Sequence, residues 1–165
     1  MLPELRFMSE NERGEQLIMV VRDTLAEETD DLANLATVAA YVYAYITRVN
    51  WVGFYILRGD TLVVGPYQGM PACVRIPLGK GVCGTAAAEK RVIVVPEVSK
   101  FAGHIACDAA SRAELVIPIY KDGELYGVLD IDSPEPNRFD EEDVTTLTEI
   151  GRLVSDALSK KLVAV

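Results

Sequence analysis

With 165 residues, half of them hydrophobic and a quarter charged, the chain has the size and make-up of one soluble domain whose core needs no disulfide staples, and disorder is excluded. The net charge is −9 and the 16 basic residues are scattered, which excludes nucleic acid as a partner because phosphate binding needs clustered Lys and Arg. Apolar runs such as Val92-Ile93-Val94-Val95 are far shorter than the ~20 residues of a membrane helix, and no signal peptide opens the chain, so no membrane partner is expected and the expected address is the cytoplasm.

Two helices come first. From Glu10 to Glu28, Leu17, Val20, Val21 and Leu25 recur at helical spacing. From Leu32 to Val49 the repeat is Leu32, Leu35, Val38, Ala39, Val42 and Ile46, with Asp30 and Asp31 as caps. A strand follows over Trp51–Leu57, then a Gly59-Asp60 turn and a second short strand through Val63 and Val64. Residues 66–81 read as an irregular connection that holds Cys73.

Gly81 to Arg91 is a short alanine-rich helix with Cys83 in its first turn, followed by a buried strand at Val92–Val95 and a loop from Pro96 to Arg112. A strand over Glu114–Tyr120 and another over Leu125–Asp132 are joined by Asp122-Gly123, a strong hairpin signal. An amphipathic helix closes the chain from Asp140 to Leu162, with acidic residues at its start to suit the helix dipole. Helices at both ends of a run of strands indicate an α+β fold, a mostly antiparallel sheet with the terminal helices on one face. The expected layout is a single domain over 1–165, with helices in 1–49, sheet and loops in 50–139, and the closing helix in 140–162. Pro118 fits such a strand only at an edge or beside a bulge.

Residues two apart on a strand share a face. Asp130 and Asp132 therefore point away from Leu129 and Ile131. Trp51, Gly53 and Tyr55 likewise oppose Val52, Phe54 and Ile56. If the aliphatic sides meet the helices, two aromatics and two carboxylates meet on the opposite face and form a small-molecule pocket suited to an ammonium group. Crowded carboxylates raise one another's proton affinity, so one can stay protonated and act as an acid. Glu114, beside Leu115-Val116-Ile117, is a third candidate. The plain alternatives are an exposed sheet face for the aspartates and core packing for the aromatics.

Three cysteines cannot all pair within one chain, and in a reducing compartment disulfides are transient, catalytic or redox-sensing. Cys107 sits in the polar loop Phe101-Ala102-Gly103-His104-Ile105-Ala106-Cys107-Asp108 beside the chain's one histidine, as a reactive thiol should. Once oxidised to a sulfenic acid, it can condense with a second thiol, for which Cys73 and Cys83 both qualify. Cys83 is either activated by its helix N-terminus or buried by its neighbours. A Cys₃His zinc site from these cysteines and His104 is the rival, without the paired CxxC spacing such sites usually show.

Gly79-Lys80-Gly81-Val82-Cys83-Gly84-Thr85, the Phe101–Asp108 loop, Ser111-Arg112-Ala113-Glu114 and Gly127-Val128-Leu129-Asp130-Ile131-Asp132-Ser133 together resemble the free methionine-(R)-sulfoxide reductases built on a GAF domain. The resemblance implies a GAF-like fold with a ligand pocket on the face away from the terminal helices. It also implies Cys107 as nucleophile, Cys73 as principal resolving cysteine and Cys83 as auxiliary. Trp51, Tyr55, Glu114, Asp130 and Asp132 would line the substrate pocket, with Glu114 or an aspartate such as Asp132 as proton donor. No bound cofactor or metal is implied; thioredoxin would be the external reductant and the chain a homodimer. Glu97, Ser99 and Ala113 stand where the family usually has Asp, His and Ser. The alternative is a non-enzymatic GAF sensor of a small molecule or of redox state, against which the expectation of no attached effector domain weighs.

Overall fold

A computed structural model describes residues 5–103, 105 and 109–159; His104 and Cys107 of the loop above lie outside the described residues. The elements run α1 (Glu10–Glu27), α2 (Asp31–Tyr45), β1 (Trp51–Arg58), β2 (Thr61–Gly69), β3 (Arg75–Pro77), α3 (Gly81–Glu89), β4 (Ile93–Val95), β5 (Ala113–Lys121), β6 (Glu124–Ser133) and α4 (Glu141–Ser159). The strands form one antiparallel sheet in the order β3-β2-β1-β6-β5-β4.

Local chemistry explains most boundaries. Ser9 and Glu12 form a reciprocal capping box at the start of α1, and the Asp30 side chain accepts from the Ala33 N–H at 2.8 Å to start α2. Asp122 and Gly123 both adopt positive φ, 52° and 80°, the pair a two-residue hairpin between β5 and β6 requires. α2 stops at Tyr45, short of the expected Val49, and the chain turns through Arg48 at φ 59°. The apolar repeat continues past that point because Ile46 is still buried against the core, so it follows burial, not helix.

Residues 66–81 are not an irregular connection throughout. β2 continues through Pro66 to Gly69, and β3 pairs with it at Arg75–Pro77. Gly65-Pro66 ends a strand by propensity, yet a break in register against β1 between Gly53 and Tyr55 absorbs it. Cys73 does lie between the two strands. Pro118 is accommodated because β4 pairs with β5 only from Glu114 to Val116. Beyond that point β5 faces no strand on one side, so a missing N–H is tolerated.

The sheet divides the apolar residues into two sets. Val52, Phe54 and Ile56 of β1, Leu115, Ile117 and Ile119 of β5, and Leu129 and Ile131 of β6 pack under α1, α2 and α4. Trp51, Tyr55, Val116 and Val128 belong to the opposite side, where α3 packs. The alternation thus sorts the faces as the sequence indicates, with α3 added on the second face. Among the described residues, no helix is long and apolar enough to cross a membrane.

Candidate active site

Strand register assembles the site. On β6, Asp132 lies opposite Trp51 of β1 and Asp130 opposite Gly53. On the other side of β6, Asp132 lies opposite Glu114 and Asp130 opposite Val116 of β5. Cross-strand partners share a face, so three carboxylates and one large aromatic converge on the α3 side. α3 then crosses this face with Cys83 in its first turn. It comes close because residue 84 is glycine: a Cβ there would sit 2.4 Å from the Pro77 carbonyl oxygen.

The result is a pocket lined by Trp51, Tyr55, Cys83, Glu114, Asp130 and Asp132, closed by Ala72, Ile105 and Ser111 among others. The carboxylates are in water's reach only at one end. Glu114 and Asp130 are 7 % and 5 % exposed, whereas Asp132 is half-buried. The Cys83 thiol donates to Glu114 Oε1 at 3.7 Å, and one carboxylate oxygen of Asp130 lies within 4.8 Å of the donor atoms of both Cys83 and Glu114. Asp130 Oδ1 has no hydrogen-bond partner.

Burial sets the protonation of the cluster. Desolvation, joined by the charges of Asp130 and Asp132, pushes the Glu114 carboxyl well above the usual range. Desolvation likewise pushes Asp130 up to about 7, with hydrogen bonds from Cys83 and Glu114 opposing it. Cys83 is also pushed up, first by burial and then by the neighbouring carboxylates. Of the two readings of Cys83, burial therefore prevails over activation by the helix N-terminus. Glu114 and Asp130 thus hold protons that exposed carboxyls would lose.

The aromatics form a second wall. Trp51 stacks on Tyr55 and on Tyr67, with centroid separations of 5.7 and 5.2 Å. Both Trp51 and Tyr55 also grip the segment that holds Cys73. The Trp51 indole N–H donates to the Met70 carbonyl at 3.1 Å and the Tyr55 hydroxyl donates to the Cys73 carbonyl at 2.9 Å. Cys73 is disulfide-bonded and Cys83 is a free, buried thiol. Below the site, Glu97 accepts from Arg112 at 2.7 Å and from Ser99 at 3.1 Å, so the two departures in the 97–99 segment build an anchored loop.

Trp51, Tyr55, Cys83, Glu114, Asp130 and Asp132 are thus brought together; Cys73 is not among the lining residues but is tied to Tyr55 through its carbonyl, and Cys107 lies outside the described residues. Sequence reasoning missed Tyr67, because Gly65-Pro66 masked the alternation that places it, and Ser111, whose hydroxyl accepts from the Asn50 side-chain amide at 3.2 Å and which carries no periodic signal.

The GAF domain family matches residues 21–158. The chain is 52 % identical over 126 residues to the free methionine-R-sulfoxide reductase of Escherichia coli, covering 76 % of each chain. It is 49 % identical over 154 residues to protein YtsP of Bacillus subtilis, covering 92 % of this chain and 94 % of that one. The X-ray structure of free methionine-R-sulfoxide reductase from Neisseria meningitidis in complex with its substrate superposes with a TM-score of 0.87. It is 38 % identical to this chain, with 92 % and 91 % of the two chains covered.

Proposed function

We propose that this chain, which belongs to the GAF-domain family of free methionine-R-sulfoxide reductases, reduces free methionine-R-sulfoxide to methionine in the pocket between β1, β5, β6 and α3. One observation carries this reading: a buried, proton-holding carboxylate pair, Glu114 and Asp130, stands with Asp132 against an aromatic wall. A free amino acid brings an ammonium to Asp130 and Asp132, and its methyl-sulfur end meets Trp51 and Tyr55. A methionine within a chain has no ammonium to offer. The enclosed space is about 30 Å³, room for little more than a water. The substrate therefore enters by parting loop residues of the lining, Ala72, Ile105 and Ser111, from the sheet.

The sulfoxide oxygen leaves poorly unless it is protonated. Glu114, whose carboxyl is pushed well above the usual range by burial, donates the proton. The Cys107 thiolate attacks the sulfoxide sulfur; the oxygen ends on the Cys107 sulfur, methionine departs, and Cys107 is oxidised by two electrons to a sulfenic acid. The Cys73 thiol condenses with it to a disulfide and expels water. Cys73 already in a disulfide and Cys83 sequestered beside Glu114 support this choice of resolving cysteine. An external dithiol, thioredoxin, restores both thiols. This cycle belongs in the cytoplasm, and we take the chain as a homodimer formed through α1, where Met19 is exposed.

The test is a thioredoxin-coupled NADPH assay with free R, free S and peptide-bound methionine sulfoxide. Turnover of the free R form alone is expected, abolished by Cys107→Ser. Turnover of none of them would favour the sensor reading, and normal activity in Cys107→Ser would remove the mechanism.

A further inference from the structure

Cys83, Glu114 and Asp130 each offer one donor atom, and these atoms lie within 4.8 Å of one another in buried surroundings. Their chemistry, one sulfur and two carboxylate oxygens, suits a borderline-soft divalent ion. The spacing suits it too. A tetrahedral zinc with bonds of about 2.3 Å to sulfur and 2.0 Å to oxygen separates those ligands by roughly 3.5 Å, and Cys83 Sγ lies 3.7 Å from Glu114 Oε1. A second observation is independent of the clustering. Asp130 is 5 % exposed, it lines the cavity, and its Oδ1 has no partner. A buried carboxylate oxygen left without a donor is costly unless a cation or a proton meets it.

We propose that Cys83, Glu114 and Asp130 bind a thiophilic divalent cation, Zn²⁺ or Cd²⁺, which excludes the ammonium-bearing substrate from the pocket. The ion displaces the protons of the three groups, and a water on the cavity side completes its coordination. Cys83 thereby gains a role distinct from disulfide chemistry: its buried sulfur makes the pocket sensitive to soft metals that a carboxylate pair alone holds weakly. The inference rests on the reductase reading only in naming the competitor.

The oxidised protein gives a clean test, because with Cys73 in its disulfide the free thiol among the described cysteines is Cys83. Protein stripped with EDTA and freed of chelator is titrated with Cd²⁺, following the ultraviolet thiolate-to-cadmium band. Zn²⁺ affinity is measured in parallel against a chromogenic chelator. The expected result is one ion per chain with the band present in wild type, absent in Cys83→Ser, and an affinity at least about 10-fold weaker in Asp130→Asn. Even an outer-sphere partner is worth that much. Free methionine-R-sulfoxide should weaken the apparent Zn²⁺ affinity. Absence of the band in wild type, its persistence in Cys83→Ser, or unchanged affinity in folded Asp130→Asn would each overturn the proposal. Reductase activity assayed in EDTA reports on the enzyme reading separately: an active protein without the band sinks the metal site alone, and an inactive one with the band sinks the reductase alone.

Discussion

The hydroxyl of Tyr55, in the middle of β1, donates to the main-chain carbonyl of Cys73 at 2.9 Å. One side chain thus lines the pocket with its ring and ties down the proposed resolving cysteine with its tip. The phenol is buried and its ionisation is pushed up by desolvation, so it remains a donor at every pH of interest.

Tyr55→Phe keeps the ring and its stacking on Trp51 but releases the Cys73 segment. Loss of a hydrogen bond of about 1 kcal/mol should slow thioredoxin-driven cycling roughly 5-fold. Methionine released in a single turnover without reductant should stay near the wild-type yield. Rapid-quench measurement of that yield beside the coupled steady-state rate separates the two. An equal fall in both would mean that the hydroxyl serves substrate reduction rather than recycling.

Gly53 makes the aromatic wall possible. A Cβ at this position would lie 2.4 Å from the Tyr67 Cβ and 2.5 Å from the Trp51 ring, with neither able to retreat from its stack. Gly53→Ala should cost about 1–3 kcal/mol of stability by overpacking, seen as a lower urea midpoint. The displaced indole should raise KM several-fold. A variant with wild-type stability and KM would show that the wall is soft.

The two faces of the sheet were legible because strand alternation is local: Trp51 and Tyr55 on one side, Val52 and Phe54 on the other, as the two core sets require. The meeting of Glu114 with Asp132 was not legible, because it depends on β6 lying between β1 and β5 and on their register. Non-local pairing leaves no periodic mark on a chain. Tyr67 was hidden for a different reason: Gly65-Pro66 carries a strong break signal that tertiary pairing overrides. Cys83 showed its place in a helix but not its depth, which is set by the glycine that follows it.

Glu114 and Asp132 are cross-strand partners at opposite ends of a burial gradient, and the two should fail differently. Glu114→Gln removes the proposed proton donor and should lower kcat by at least about 100-fold, with KM little changed. Asp132→Asn, at the half-buried mouth, should act mainly through the ammonium and raise KM by about 10-fold. Initial-rate kinetics over a range of substrate concentrations decide it; a large kcat loss in Asp132→Asn with a mild effect in Glu114→Gln would reverse the assignment of roles.

The protonated pocket also predicts how stability varies with pH. Asp130 titrates near 7 in the folded protein and near 3.9 when unfolded. Below about 3.9 both states are neutral and the group is silent. Between that value and about 7 the unfolded aspartate sheds its proton while the folded one keeps it, so stability falls as pH rises through this window and levels off above it. Three pH units correspond to no more than about 4 kcal/mol, and Glu114, shifted in the same direction, extends the decline. Asp130→Asn stays neutral at every pH and escapes its share. The difference in unfolding free energy, variant minus wild type, should therefore grow in the variant's favour from pH 4 to pH 7. Urea titrations of both proteins across that range measure it directly. A difference that is flat, or that runs against the variant, would mean that Asp130 is ionised in the folded protein and that the pocket carries a charge rather than a shared proton.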